Sequence, residues 1–183
     1  MVRLDAQGLY YKDLNEKIHR LIAAGEREFM VENVNGQRYI GAALPEGIKM
    51  ELHGTPGNDL ACYMNGACLT VHGNAQDGTA NTMSGGTLVV HGRSGDATGY
   101  AMRGGKVFIR DDVGYRVGIH MKEYQDLIPV IVVGGSAGSF FGEYMAGGRL
   151  IVLGLTGSRP LVGDYCGTGM HGGIMYLRGE VPG

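Results

Sequence analysis

The feature that most limits what this chain can become is a ten-residue motif that returns every 19 residues. Met64–Gly73 reads MNGACLTVHG, Met83–Gly92 reads MSGGTLVVHG and Met102–Asp111 reads MRGGKVFIRD. Met145–Gly154 (MAGGRLIVLG) and Met170–Gly179 (MHGGIMYLRG) repeat it again. Weaker copies run from Gly47 to Gly54 and from Ile128 to Gly135. The anchor positions are 47, 66, 85, 104, 128, 147 and 172, which makes seven units. Five extra residues enter between 104 and 128, and six between 147 and 172. A fixed period of this length marks a solenoid, because one unit cannot bury its apolar face until a neighbour stacks on it.

Each unit alternates with period two. Leu88/Val90, Val107/Ile109, Ile131/Val133 and Leu150/Val152 fall on one face. Thr87/Val89, Lys106/Phe108, Val130/Val132 and Arg149/Ile151 fall on the other. The first set reads as the inward side of a strand and the second, mixed in polarity, as the outward side. Met64, Met83, Met102, Met145 and Met170 form one column, and Ala61, Ala80, Gly99, Gly142 and Gly167 form another three positions earlier. Coils stacked at about 4.8 Å put like on like, and unbranched methionine fills an irregular interior. The expected fold is all-β: a single-stranded right-handed parallel β-helix of about seven 19-residue coils. Its hand follows from the rule for parallel crossovers. Leucine-rich repeats lack this pattern, and a sandwich lacks this period.

The repeat also explains the composition. Glycine is 34 of 183 residues, more than twice the usual share of roughly 7%. Corners of a short coil need positive φ and close backbone approach, which glycine supplies. Collagen is excluded by the missing G-X-Y period and only 5 prolines. A disordered linker is excluded by the 44% of residues that are hydrophobic.

Residues 1–46 precede the first anchor and read as an N-terminal cap over the exposed coil edge. Asp13-Leu14-Asn15-Glu16 resembles a capping box. Leu14, Ile18, Leu21 and Ile22 share one face of a helix over about 14–24, and Gly25 is a stop signal. Glu28–Val34 reads as a strand, Asn35-Gly36 as a tight turn, and Gln37–Ile40 as the returning strand. The β-helix proper occupies 47–183, one structural domain with its cap. Its far end reads as an uncovered edge open to docking by another chain or a second copy.

Charge and targeting signals are quiet. Sixteen basic and 18 acidic residues leave a net charge of −2, which favours neither nucleic acid nor an anionic membrane as partner. No apolar run reaches signal-peptide or membrane-span length. Cys62, Cys68 and Cys166 are odd in number and lack CxxC spacing, so they form neither a disulfide framework nor a zinc site, and a reducing cytoplasm is expected.

Gly167-Thr168-Gly169-Met170-His171-Gly172 matches G-x-G-x-x-G, but strand residues follow it where a dinucleotide site needs a helix. His53, His72 and His91 share one column. Stacked coils bring such imidazoles about 5 Å apart. Arg110 and Arg178 share the column and no acid accompanies the histidines in sequence, so a solvent-side stack is preferred to a metal site. The stretch from Asp111 to Tyr124 departs from the motif and concentrates acid, base, imidazole and phenol. It is either a long corner with self-paired charges or a binding face, since solenoid insertions map to one face. The second insertion, Thr156 to Gly163, holds Arg159-Pro160. No spacing arranges a nucleophile, base and orienter. The expected site is an interface built by Tyr115, Arg116, His120, Lys122 and Arg159, with no catalytic, cofactor-binding or metal-ligating residue.

Several stretches carry a family resemblance. They are Thr55-Pro56-Gly57-Asn58-Asp59, Gly73-Asn74-Ala75-Gln76-Asp77, Gly95-Asp96-Ala97-Thr98-Gly99-Tyr100-Ala101-Met102-Arg103-Gly104-Gly105, Asp112-Val113-Gly114-Tyr115-Arg116-Val117-Gly118-Ile119-His120-Met121-Lys122 and Gly142-Glu143-Tyr144-Met145-Ala146-Gly147-Gly148. Together they resemble the glycine-rich, GXGXR-type C-terminal domain of the glutamate synthase large subunit, in its stand-alone subunit form. The resemblance spans nearly the whole chain, including Gly36-Gln37-Arg38-Tyr39-Ile40-Gly41. It implies a right-handed parallel β-helix without catalytic residues, acting as a scaffold in amino-acid nitrogen metabolism. It implies a glutaminase-type amidotransferase subunit and a flavin synthase subunit as partners, with FMN and iron–sulfur clusters on those partners. Two alternatives stand beside it. One is an independent ligand-binding or enzymatic solenoid acting at 111–124. The other is a subunit of the formylmethanofuran dehydrogenase type. An isolated copy could also pair with itself.

Overall fold

The computed structural model describes residues 1–157 and 160–180. Nine strands form one sheet in which every strand pairs in parallel with the next in sequence. They are β1 (Val2–Asp5), β2 (Glu28–Asn35), β3 (Lys49–Thr55), β4 (Asn65–His72), β5 (Gly85–Val90), β6 (Lys106–Ile109), β7 (Val130–Val133), β8 (Ala146–Val152) and β9 (Gly172–Leu177). Helix α1 (Tyr11–Ala23) links β1 to β2. A parallel neighbour at each step means that the chain advances one coil per circuit, so the fold is a β-solenoid. The seven anchors open β3–β9. Among the described residues these strands are joined by six full turns, one fewer than the seven units expected.

The period-two reading of the strands holds. One inward column runs Phe29, Met50, Leu69, Leu88, Val107, Ile131, Leu150 and Met175 in register. A second runs Val31, Leu52, Val71, Val90, Ile109, Val133, Val152 and Leu177. All are buried except Met175 and Leu177, which are half-buried on the edge strand. The methionine column is buried from Met64 to Met145 and gains Met121.

The corners are where the repeat does something the pattern did not announce. At each of the seven corners between β2 and β9 three alternate residues adopt left-handed φ. Along the chain these triplets are Tyr39/Gly41/Ala43, Asp59/Ala61/Tyr63, Gly78/Ala80/Thr82, Ala97/Gly99/Ala101, Arg116/Gly118/His120, Phe140/Gly142/Tyr144 and Tyr165/Gly167/Gly169. Left-handed backbone costs a non-glycine residue about 1–2 kcal/mol. The compensation is a backbone ladder that continues round the corner. Ala97 N–H donates to Tyr115 O at 2.8 Å and Ala101 N–H to Ile119 O at 2.9 Å, one coil onward, while Gly99 N–H donates to Thr79 O at 2.7 Å, one coil back. The middle residue is only glycine or alanine because its Cβ faces the core. A methyl on Gly99 would collide with the Ile131 side chain.

Asp and Asn side chains between strand and corner extend this stitching. Asn74 Oδ1 accepts from Arg93 N–H, Asp77 Oδ1 from Asp96 N–H, Asp96 Oδ1 from Tyr115 N–H and Asp112 Oδ1 from Ser136 N–H, at 2.8–2.9 Å. The carboxylates of the repeat thus serve backbone amides of the next coil.

Residues 1–46 depart from expectation in two ways. The helix starts at Tyr11, and Tyr10 is an N-cap without a side-chain hydrogen bond, so Asp13 sits inside the first turn. Its stop is as read: Gly25 has φ +102°, Gly25 N–H donates to Ile22 O and Glu26 N–H to Leu21 O, a Schellman closure. The expected hairpin is absent. Strand β2 pairs in parallel with β1 and β3, and Gln37–Ile40 is not a strand. Left-handed φ at Tyr39 and Gly41 forbids an extended return. Buried Gln37 pins the segment, accepting Asn35 N–H and donating to Ala6 O and Leu9 O. Among the described residues no helix is long and apolar enough to cross a membrane.

Candidate functional site

Where the first and third left-handed residues of a corner carry side chains, none of these is buried in the core. In the C-terminal half these stack. The Arg116 guanidinium lies 4.8 Å over the Phe140 ring, and Phe140 stacks on Tyr165 at 5.0 Å. Beside them His120 stacks on Tyr144 at 5.4 Å, and Tyr100 meets His120 edge-on at 5.9 Å. A groove of about 530 Å³ runs along this corner, lined by Tyr100, Arg103, His120, Lys122, Tyr144 and His171. Among the described residues no carboxylate lines it, so its field suits an acidic surface or an anionic ligand.

Of the five residues expected to form an interface, the structure brings His120 and Lys122 into this groove. Arg116 stands one column away, and its Nε donates to Oε2 of buried Glu143 at 3.0 Å. Tyr115 lines a separate cavity of about 320 Å³ with Ser139, Pro160 and Asp164. Arg159 lies outside the described residues.

The reading of 111–124 as an insertion needs correction. Residues 116, 118 and 120 carry the same left-handed triplet as every other corner, so the stretch to Met121 obeys the repeat. The five extra residues come after it, in a loop closed by the Tyr124–Leu127 bridge before β7. Tyr100, Arg103, Tyr144 and His171 escaped the sequence reading. The signal was there: Arg103 plus 19 is Lys122, and both N–H groups donate one coil back, to Met83 O and Met102 O.

The histidine column forms as expected. The His53 and His72 rings are 4.5 Å apart and 15° from parallel, and His72 and His91 are 5.4 Å apart. What was missed is an acid. Glu51, two residues before His53 on the same outward face, places Oε2 3.3 Å from His72 Nε2 and 3.9 Å from His53 Nε2. The arginines sharing the column are occupied. Arg110 grips Asp111 through two hydrogen bonds of 3.0 and 2.9 Å, which holds the Asp111 carboxyl below its usual range. Arg178 donates to Leu153 O.

In the G-x-G-x-x-G segment, Gly167 and Gly169 are corner residues and β9 follows. Among the described residues no helix follows that turn, so it lacks the helix N-terminus that the dinucleotide fingerprint requires.

The three cysteines are unpaired. Burial pushes the Cys62 thiol up to about 11, helped by nearby Asp59, and burial also raises Cys166. Cys68 is exposed. Only thiolates alkylate quickly. In native protein at pH 8, iodoacetamide should therefore modify Cys68 first and leave Cys62 unmodified until denaturant is added. Peptide mass spectrometry reads the order, and early labelling of Cys62 would contradict its burial.

The model of the GXGXG motif family matches residues 14–182. An uncharacterized protein of Methanocaldococcus jannaschii is 48% identical, over 98% of this chain and 72% of its own length.

Proposed function

The chain belongs to the GXGXG motif family, the glutamate synthase C-terminal type, and from that membership we propose that it is a scaffold subunit of a glutamate-synthase-like complex in the cytoplasm. Its partners are a glutaminase-type amidotransferase subunit and a flavin synthase subunit, which carry the FMN and iron–sulfur groups. This chain contributes shape and docking surface rather than catalysis.

The observation that carries the reading is the corner of stacked Arg116–Phe140–Tyr165 and His120–Tyr144 side chains. Tyrosine and arginine dominate the energetics of protein interfaces. Here the coil backbone presents them on a rigid ladder, so little ordering entropy remains to be lost on binding. Tyr100, Tyr144 and Tyr165 are exposed.

The test is to purify the tagged chain from its native host. It should elute with an amidotransferase-type subunit and a flavoprotein. Emergence alone, with neither, sinks the reading. Tyr144→Ala should weaken partner capture at least tenfold, the order of one interface anchor, while leaving the melting temperature unchanged.

A second reading takes the carboxylate-free groove as a small-ligand site. Its four basic side chains beside two tyrosines suit a carboxylate- or phosphate-bearing ligand. Under it, the isolated chain would bind such a ligand with no partner present, and His120→Ala would abolish that binding.

A further inference from the structure

We propose that Glu51, His53 and His72 form a binding site for a divalent transition-metal ion on the outward face of β3 and β4. The site is separate from the docking corner and does not depend on the scaffold reading.

Strand alternation puts Glu51 and His53 on one face, and the β3–β4 register puts His72 directly beside His53. One donor atom from each of the three residues lies within 4.8 Å of the others. Two imidazole nitrogens at 3.3 and 3.9 Å from one carboxylate oxygen are close to the edge of a tetrahedron with metal–ligand bonds of about 2.0–2.2 Å. The donor set, two imidazoles and a carboxylate, suits zinc and its first-row neighbours rather than magnesium or calcium.

A second observation points the same way. His53 Nε2 is shielded from solvent and has no hydrogen-bond partner. Such an atom calls for an explanation, and a bound ion supplies one. His53 also lines a groove of about 1190 Å³, together with Gln7, Tyr10, Glu32, Asn33 and Gln37. An ion held by three protein ligands keeps a position for water or a ligand entering from that groove.

The two rings are nearly parallel, so an ion shared between them requires one ring to turn about χ2. That torsion is soft in histidine, and both side chains are about two-fifths exposed. Asp111 occupies Arg110, and His91 stands between it and the site, which removes the repulsion that the shared column suggests.

The experiment strips the full chain with a chelator and titrates Zn²⁺ against a chromophoric competitor. Co²⁺ follows, read by its visible ligand-field bands. One equivalent should bind and millimolar Mg²⁺ should not compete. His53→Ala and His72→Ala should each weaken Zn²⁺ binding at least tenfold, and Glu51→Gln by about tenfold, whereas His19→Ala on α1 should leave it unchanged. The side chains face outward, so circular dichroism should match wild type, and His72→Gln serves as the milder variant. No binding to wild type, or binding that survives all of the Glu51, His53 and His72 substitutions, overturns the proposal.

Discussion

Replacing Gly99 with valine is expected to cost about 3 kcal/mol and to lower the melting temperature more than any surface change. Gly99 is the middle residue of its corner, at φ +71°. Valine there meets the left-handed penalty of about 1–2 kcal/mol, aggravated by β-branching. Its side chain is also driven into Ile131, and overpacking a filled core adds about 1–3 kcal/mol. Ala80, in the same column one coil earlier at φ +59°, provides the control. Ala80→Gly relieves the backbone penalty but adds unfolded-state entropy of about 0.5–1 kcal/mol. It should stay within about 1 kcal/mol of wild type. Denaturant titration measures both. A Gly99→Val protein that unfolds with the wild type would show that the corner does not require left-handed backbone.

That corner marks the limit of what the sequence could disclose. The strands were legible because Leu88/Val90, Val107/Ile109 and their equivalents alternate cleanly, and burial follows side-chain type. The left-handed triplets were only half legible. Glycine at 99, 118, 142 and 167 hints at positive φ, but Tyr39, Asp59, Arg116 and Phe140 share it without any compositional flag. Their conformation is imposed by hydrogen bonds to neighbouring coils, which no local propensity encodes. The hairpin expected at Asn35-Gly36 failed for the same reason: a local turn signal lost to inter-coil pairing. Glu51 is not adjacent to a histidine in sequence, and it reaches His53 and His72 because a strand puts i and i+2 on one face. The boundary of the insertion follows the register of the coils, with the triplet at 116, 118 and 120 in place, and not the local composition. The basic groove is assembled from four successive coils, so its residues are distant in sequence though periodic in it.

Leu150→Ala tests whether the coils hold one another independently. Leu150 is fully buried between Ile131 and Met175. Its methyl groups fill the space that Cβ atoms on Gly118 and Gly142 would enter. Truncation should cost about 2–5 kcal/mol, the range for a buried leucine that leaves a cavity. In a solenoid each coil contacts only its neighbours, so the loss should remain local. Among the described residues strand β9 pairs with β8 alone, and its inward Met175 and Leu177 are only half-buried. Hydrogen exchange should therefore accelerate first in β9 and in the Tyr165–Gly169 corner, and last in β3–β5. The functional consequences separate along the same axis. Tyr144 lies at the corner before β8, so partner capture should weaken, while Zn²⁺ affinity at β3–β4 should match wild type. Uniform acceleration of exchange from β3 to β9 would instead mean that the solenoid opens as one cooperative unit, with the docking corner and the histidine column rising and falling together.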